Sequence, residues 1–221
     1  MLYLFLLDNN KKNRKSTPMT DETEKSIVEY IKQQRDKEGL EEINLTWYGG
    51  EPLIEYQRVL SLAQKINDLN IEINENSLIT NGYFFTLDKI EALVRVGIRS
   101  IQITLDGIKE THDVRRPLLS GKGTFDKIIS NLDEYYKSEY RDYFDIALRV
   151  NVDKRNYTDF LNLHKWLNDR YKSAKLFVYP GIIVLDSDDK NAKECLSRNH
   201  VTDMFLDIYE KHGFRFEELY L

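Results

Sequence analysis

The run Tyr48-Gly49-Gly50-Glu51-Pro52 closes the β-prone segment Leu45-Thr46-Trp47 with two glycines, a carboxylate and a proline. Adjacent glycines let the chain turn sharply and let a ligand approach the backbone, because neither carries a Cβ. Glu51 then sits at the carboxyl edge of a strand, where α/β sheets collect their ligands. Pro52 suits the first turn of a following helix, where its missing N–H costs little. Three more strand ends carry polar or glycine positions: Thr80-Asn81-Gly82, Thr104-Leu105-Asp106-Gly107 and Arg149-Val150-Asn151. In a barrel-like α/β fold such ends converge on one face, the face on which these folds build active sites. Taken singly, each has a plainer reading. Asn81-Gly82 and Asp106-Gly107 are ordinary turn pairs, and Arg115 and Arg116 are ordinary surface charges.

The elements that must position these groups alternate. Strands are expected at 2–7, 43–48, 77–80, 100–105, 145–151 and 175–179. Helices are expected from the N-cap Thr20 to Gly39, then over 53–69, 87–96, 125–136, 157–171 and 199–211. The stretch 108–123 reads as a long connection, and Phe214-Arg215-Phe216 as the start of another strand. Strict βα alternation implies a parallel sheet with right-handed crossovers. No low-complexity tract or linker divides the chain, so residues 1–221 read as a single domain.

Composition narrows the function classes. The 221 residues carry a net charge of −5, with 32 basic and 37 acidic side chains well mixed. Nucleic-acid binding needs clustered positive charge, and the only basic run, Lys11, Lys12, Arg14 and Lys15, reads as a solvated loop. Leu2–Leu7 is too short to span a membrane and lacks the marks of a signal peptide. One cysteine, Cys195, rules out an intrachain disulfide and fits a reducing cytoplasm. It reads as an incidental thiol, and no pair of the histidines 112, 164, 200 and 212 has close metal-ligand spacing. Gly121-Lys122-Gly123 reads as a flexible loop, and Tyr135-Tyr136 as a solvated helix end with partly buried rings.

In sequence order, Trp47–Pro52, Thr80-Asn81-Gly82, Ile103–Gly107 with His112-Asp113-Val114-Arg115-Arg116, Phe125, and Arg149-Val150-Asn151 recur at βα spacing. This set resembles the radical S-adenosylmethionine (radical SAM) enzymes, in particular the branch with anaerobic sulfatase-maturating and peptide-modifying enzymes. The resemblance covers roughly residues 8–180. It implies a partial (β/α)6 TIM-like barrel with a parallel sheet. The strand count is five or six, according to whether Leu2–Leu7 is the first strand or only the end of a loop that precedes it.

The resemblance further implies that Gly49, Gly50 and Glu51 receive the amino group of the cofactor S-adenosyl-L-methionine. Asn81 belongs to the same cofactor wall, and Thr104 stands where relatives often use serine at the ribose. Arg115 or Arg116 reaches the cofactor's polar groups, and Arg149 and Asn151 point at it from the fifth strand. Asp106 falls on the substrate side, as a candidate catalytic residue for positioning or proton transfer.

One departure is large. The family holds a [4Fe–4S] cluster with three cysteines, usually spaced Cys-x3-Cys-x2-Cys, in the loop after the first strand. No cysteine stands near that place in this sequence, although Asp8-Asn9-Asn10 resembles the segment just beyond it. No cysteine-rich auxiliary-cluster domain follows either. The expectation is therefore a middle portion of a longer enzyme, truncated at both ends. Its parent would cleave S-adenosylmethionine reductively and abstract hydrogen from a peptide or protein, while this chain alone would be inactive. The alternatives are a non-catalytic peptide- or SAM-binding module, or a gene remnant.

Overall fold

The computed structural model describes residues 3–4, 18–182 and 198–212. The basic run at 11–15, Asp8-Asn9-Asn10, the acidic stretch Asp186–Asp189, Cys195 and Phe214–Phe216 lie outside the described residues. The elements are β1 (Tyr3–Leu4), α1 (Asp21–Glu38), β2 (Glu42–Trp47), α2 (Tyr56–Asn67), β3 (Glu72–Thr80), α3 (Leu87–Arg95) and β4 (Ser100–Leu105). They continue with α4 (Lys109–Arg115), α5 (Phe125–Lys137), β5 (Asp145–Val152), α6 (Phe160–Tyr171), β6 (Leu176–Ile182) and α7 (Arg198–His212).

The strands form one 6-stranded sheet in the order β1-β2-β3-β4-β5-β6, and every neighbouring pair is parallel. This is the partial (β/α)6 barrel. Tyr3 and Leu4 pair with Asn44 and Leu45, so the first strand position is filled.

Period-two alternation sets the two faces of the sheet. β4 buries Ile101, Ile103 and Leu105, and β5 buries Ile146, Leu148, Val150 and Val152. The helices cover that face with apolar stripes at helical spacing: Val59, Leu62, Ala63 and Ile66 on α2, and Phe125, Ile128, Ile129 and Leu132 on α5. The alternate residues Gln102, Thr104, Arg149 and Asn151 are half-buried and polar, on the inner face. The same chain thus makes a dry outer layer and a wet inner wall.

Several boundaries differ from expectation. β3 begins at Glu72, not Ser77, because its polar first half is held by pairing with Glu42 and Ile43 rather than by burial. α2 begins at Tyr56, not Leu53. Residues 52–54 form a turn instead, with Ile54 N–H bonded to the Glu51 carbonyl and Leu53 fully buried. The connection 108–123 contains the short helix α4. Tyr135 and Tyr136 are core residues, not a solvated end. Tyr136 stacks on Tyr171 at 4.5 Å, and the Tyr135 hydroxyl accepts from Phe144 N–H at 3.0 Å. No helix among the described residues is long and apolar enough to cross a membrane.

α1 is fastened to α2 by one buried charge. Thr20 caps α1, its hydroxyl accepting from Thr23 N–H at 3.1 Å. One turn in, the wholly buried Glu24 accepts from Ser61 and Lys65, each at 2.6 Å, and from Arg58. Burial alone would raise its pKa, but the bonds from Lys65, Ser61 and Arg58 outweigh it and bring the group down to about 2. The carboxylate therefore stabilises the fold fully above its ordinary value of 4.5, and that contribution is lost as pH falls from 4.5 through about 2. Lys65 is half-exposed, which discounts the effect to about 2 kcal/mol. Urea unfolding should show that loss between pH 6 and pH 2.5, and Glu24→Gln should flatten that part of the profile.

Candidate cofactor and substrate site

The site is built on a latch between the ends of β4 and β5. Asp106, the residue after β4, is buried. Its Oδ2 accepts from Arg116 Nε at 2.6 Å and its Oδ1 from Asn151 Nδ2 at 2.8 Å. Its carbonyl accepts from Asn156 Nδ2 at 2.8 Å, and its N–H donates to His112 Nδ1 at 3.1 Å. Asn156 also donates to the Asn151 carbonyl at 2.9 Å and accepts from Asp153 N–H at 2.8 Å. Four residues, 6 to 50 positions away in sequence, are thereby tied to one strand end.

The segment His112–Arg116 supplies most of these ties because α4 sends successive residues in different directions. His112 is fully buried, and burial lowers its pKa. Thr124 gives its hydroxyl proton to the Arg116 carbonyl at 2.7 Å, so its oxygen accepts from His112 Nε2 at 3.0 Å. His112 is therefore neutral, with its proton on Nε2 and its Nδ1 free to accept. Asp113 caps α5, its Oδ1 accepting from Thr124 N–H and Phe125 N–H at 2.8 Å each. A Cβ on Gly123 would fall 2.3 Å from that carboxylate, which explains the glycine. Arg115 turns away to Asp153, at 2.8 and 2.9 Å, and Arg116 turns inward.

Above the latch lies a cavity of about 410 Å³, lined by residues from the ends of β2 to β5. That is within the range of small-molecule sites. Of the residues expected from sequence, Gly49, Gly50, Asn81, Thr104, Arg116, Arg149 and Asn151 line it. Three others do not. Arg115 is held by Asp153, which settles the choice between the two arginines as lining residues in favour of Arg116. Asp106 is spent on the latch, so its place is behind the wall. Glu51 is also behind it: its oxygens accept from Thr80 Oγ1 and Asn81 N–H at 2.7 Å and from Leu53 N–H at 3.1 Å. These bonds fix the Thr80-Asn81 strand end without a positive partner.

Tyr48, Ile79, Thr80 and Gln102 also line the cavity, though the sequence reading did not select them. The signal was available for Ile79 and Gln102, which stand two residues before Asn81 and Thr104 and so share a face with them. Gln102 is steadied by the Tyr179 hydroxyl, which donates to Oε1 at 2.8 Å.

Of the two reasons the sequence gives for the glycines of the opening motif, the sharp turn is not the one the structure needs. Neither Gly49 nor Gly50 has a positive φ, and a Cβ on either would meet nothing within 4 Å among the described residues. No left-handed turn and no described neighbour demands glycine there. The bare backbone instead faces the cavity.

A barrel with a polar cavity at its strand ends defines an α/β enzyme-like core. The chain belongs to the Radical SAM superfamily, whose family model matches residues 8–167. Among curated proteins it is 29% identical over 125 residues to the GTP 3',8-cyclase of Clostridium perfringens, covering 57% of this chain and 36% of that enzyme. It is 30% identical over 121 residues to the cysteine-type anaerobic sulfatase-maturating enzyme of Clostridium novyi, covering 52% of this chain and 32% of that enzyme. The chain thus spans about a third of the length of these relatives. The solved structure of native anSMEcpe with bound AdoMet and Cp18Cys peptide shares the fold, with a TM-score of 0.65 at 21% identity over 89% of this chain and 54% of that one.

Asp106→Ala tests the latch. It leaves the Arg116 guanidinium without its counter-charge and Asn151 without its acceptor, and should cost about 2–3 kcal/mol in urea unfolding. A loss below about 0.5 kcal/mol would show that the strand ends are held by something else.

Proposed function

We propose that residues 1–221 form one radical SAM core unit that binds S-adenosylmethionine and serves the modification of a peptide or protein side chain. The observation that carries this reading is the pair Gly49-Gly50, bare on the cavity side for no reason found among the described residues. Glu51 follows them and has no cationic partner among the described residues, so the wall is negative where an ammonium would rest. Thr104 and Asn81 offer a hydroxyl and an amide for a ribose, and Arg116 offers a guanidinium for a carboxylate. These residues fit the cofactor. When bound, it supplies the family's reductive cleavage and hydrogen abstraction; the chain's own part is to bind and orient it. The peptide class rests on the sulfatase-maturating relatives and on the peptide in the anSMEcpe structure.

The cluster does not fit these residues. Iron–sulfur clusters are held by several thiolates, and the sequence has a single cysteine. No group of three or more His, Cys, Asp or Glu side chains among the described residues could hold a metal. We therefore place binding in this chain and derive no reductive step from it. The same count supports a second reading, a binding module that is not itself catalytic. The net charge of −5 speaks against nucleic acid as a partner, and the lone cysteine suits a reducing cytoplasm.

Calorimetry with S-adenosylmethionine tests the first claim. Gly49→Ala and Gly50→Ala should each leave the melting temperature unchanged or slightly raised, since the Cβ enters open space. Each should nevertheless weaken the cofactor at least tenfold. Undetectable binding by the wild-type chain, or equal binding by both variants, would sink the assignment. Anaerobic reconstitution tests the second claim. Iron and sulfide should remain well below one cluster per chain, and a stoichiometric cluster on these 221 residues would overturn it.

A further inference from the structure

The cavity wall has two guanidinium groups, and they differ in one respect. Arg116 is neutralised by Asp106. Arg149 forms no ion pair with any described residue; its Nε donates to Asn151 Oδ1 at 3.1 Å and its terminal nitrogens are uncommitted. No carboxylate of the described residues lines the cavity. A positive charge held in a half-buried wall without a counter-ion is poised for an anion from outside the chain.

Its position says which ligand that anion belongs to. Gly181 on β6 faces Arg149, and a Cβ there would sit 2.3 Å from Arg149 Nε and 2.8 Å from Asn151 Oδ1. The side chain therefore leans over β6, away from β4. The Asn151 amide, fixed in turn by Asp106, holds it there. Gly49-Gly50 lie just beyond β2, and the Glu51 carboxylate behind them is bound at the end of β3. From β2 to β5 is three strand steps, about 14 Å at roughly 4.8 Å per step. An amino acid carries its ammonium and carboxylate on one Cα, so the aminoacyl group at Gly49-Gly50 does not also reach a guanidinium leaning over β6. One uncompensated positive charge matches a carboxylate; a triphosphate would need several.

We propose that Arg149 is a specificity-determining residue that receives a carboxylate of the peptide substrate, an Asp or Glu side chain or a C-terminus, while the cofactor occupies the opposite end of the cavity. This rests on the cofactor reading above for the cofactor's placement. Gly181 is the positioning residue that gives the guanidinium its room.

The test uses the 221-residue chain with the capped tripeptides acetyl-Ala-Glu-Ala-amide and acetyl-Ala-Gln-Ala-amide, titrated by NMR with and without S-adenosylmethionine. The wild type should prefer the Glu peptide at least fivefold. Arg149→Met should abolish the preference and Arg149→Lys should retain part of it. Gly181→Ala, which keeps the arginine but displaces it, should reduce the preference as well. Near-UV circular dichroism confirms that each variant is folded, and if Arg149→Met is not, Arg149→Lys and Gly181→Ala carry the comparison.

Four results would overturn the proposal. The first is no preference in the wild type, and the second is a preference that survives Arg149→Met. The third is an S-adenosylmethionine affinity that falls more steeply than the peptide preference in Arg149→Met, which would give the anion to the cofactor. A GTP titration that binds tighter than the Glu peptide and depends on Arg149 would likewise reassign the site to phosphate. Absence of cofactor binding with an intact, Arg149-dependent preference would sink the cofactor reading and leave the carboxylate site standing.

Discussion

The site depends on the hydrogen bonds that converge on Asp106. Strand ends are mobile unless something ties them, because their last carbonyl and amide groups have no ladder partner. Here the carboxylate holds Arg116 and Asn151, the carbonyl takes Asn156, and the amide meets a neutral His112. Protonating His112 would oblige two donors to face each other at its Nδ1, and its burial opposes that. The latch converts β4, α4 and β5 into one rigid wall, and the cavity inherits its shape from it.

A second fixed point lies at the end of the neighbouring strand, β3. Glu51 binds Thr80 and Asn81 much as Asp106 binds Arg116 and Asn151. The two acids differ in electrostatic state: Asp106 is paired with a cation, and Glu51 is satisfied by neutral donors. Among the described residues, the Glu51 carboxylate at the end of β3 thus has no cation beside it, and Arg149 on β5 has no anion. That division comes from which charges are compensated, and the inventory of charged residues does not show it.

The fold's stability is supplied elsewhere. The apolar layer between sheet and helices is continuous, and the Glu24 cluster joins α1 to α2 away from the strand-end cavity. This separation allows the inner wall to carry half-buried polar residues at little cost to the core. It also accommodates relatives as different in name as a GTP cyclase and a sulfatase-maturating enzyme on one scaffold.

The sequence by itself determined the βα order, the parallel sheet and the set of strand ends that meet, because hydrophobic periodicity and turn residues are local properties of the chain. It also determined that one cysteine is available, which no folding can change. It did not reveal β3's polar first half or α4, since pairing with β2 holds the first, and bonds of His112, Asp113 and Arg115 to residues outside α4 hold the second. It did not separate Arg115 from Arg116, or show that Asp106 and Glu51 stand behind the wall. Those outcomes turn on which partner lies within about 3 Å, and the partners Asp153, Asn151 and Thr80 are 29 to 45 residues away in sequence. Tertiary structure alone decided that neither a positive φ nor a described neighbour requires glycine at 49 and 50, because only the surrounding atoms show what a Cβ there would meet.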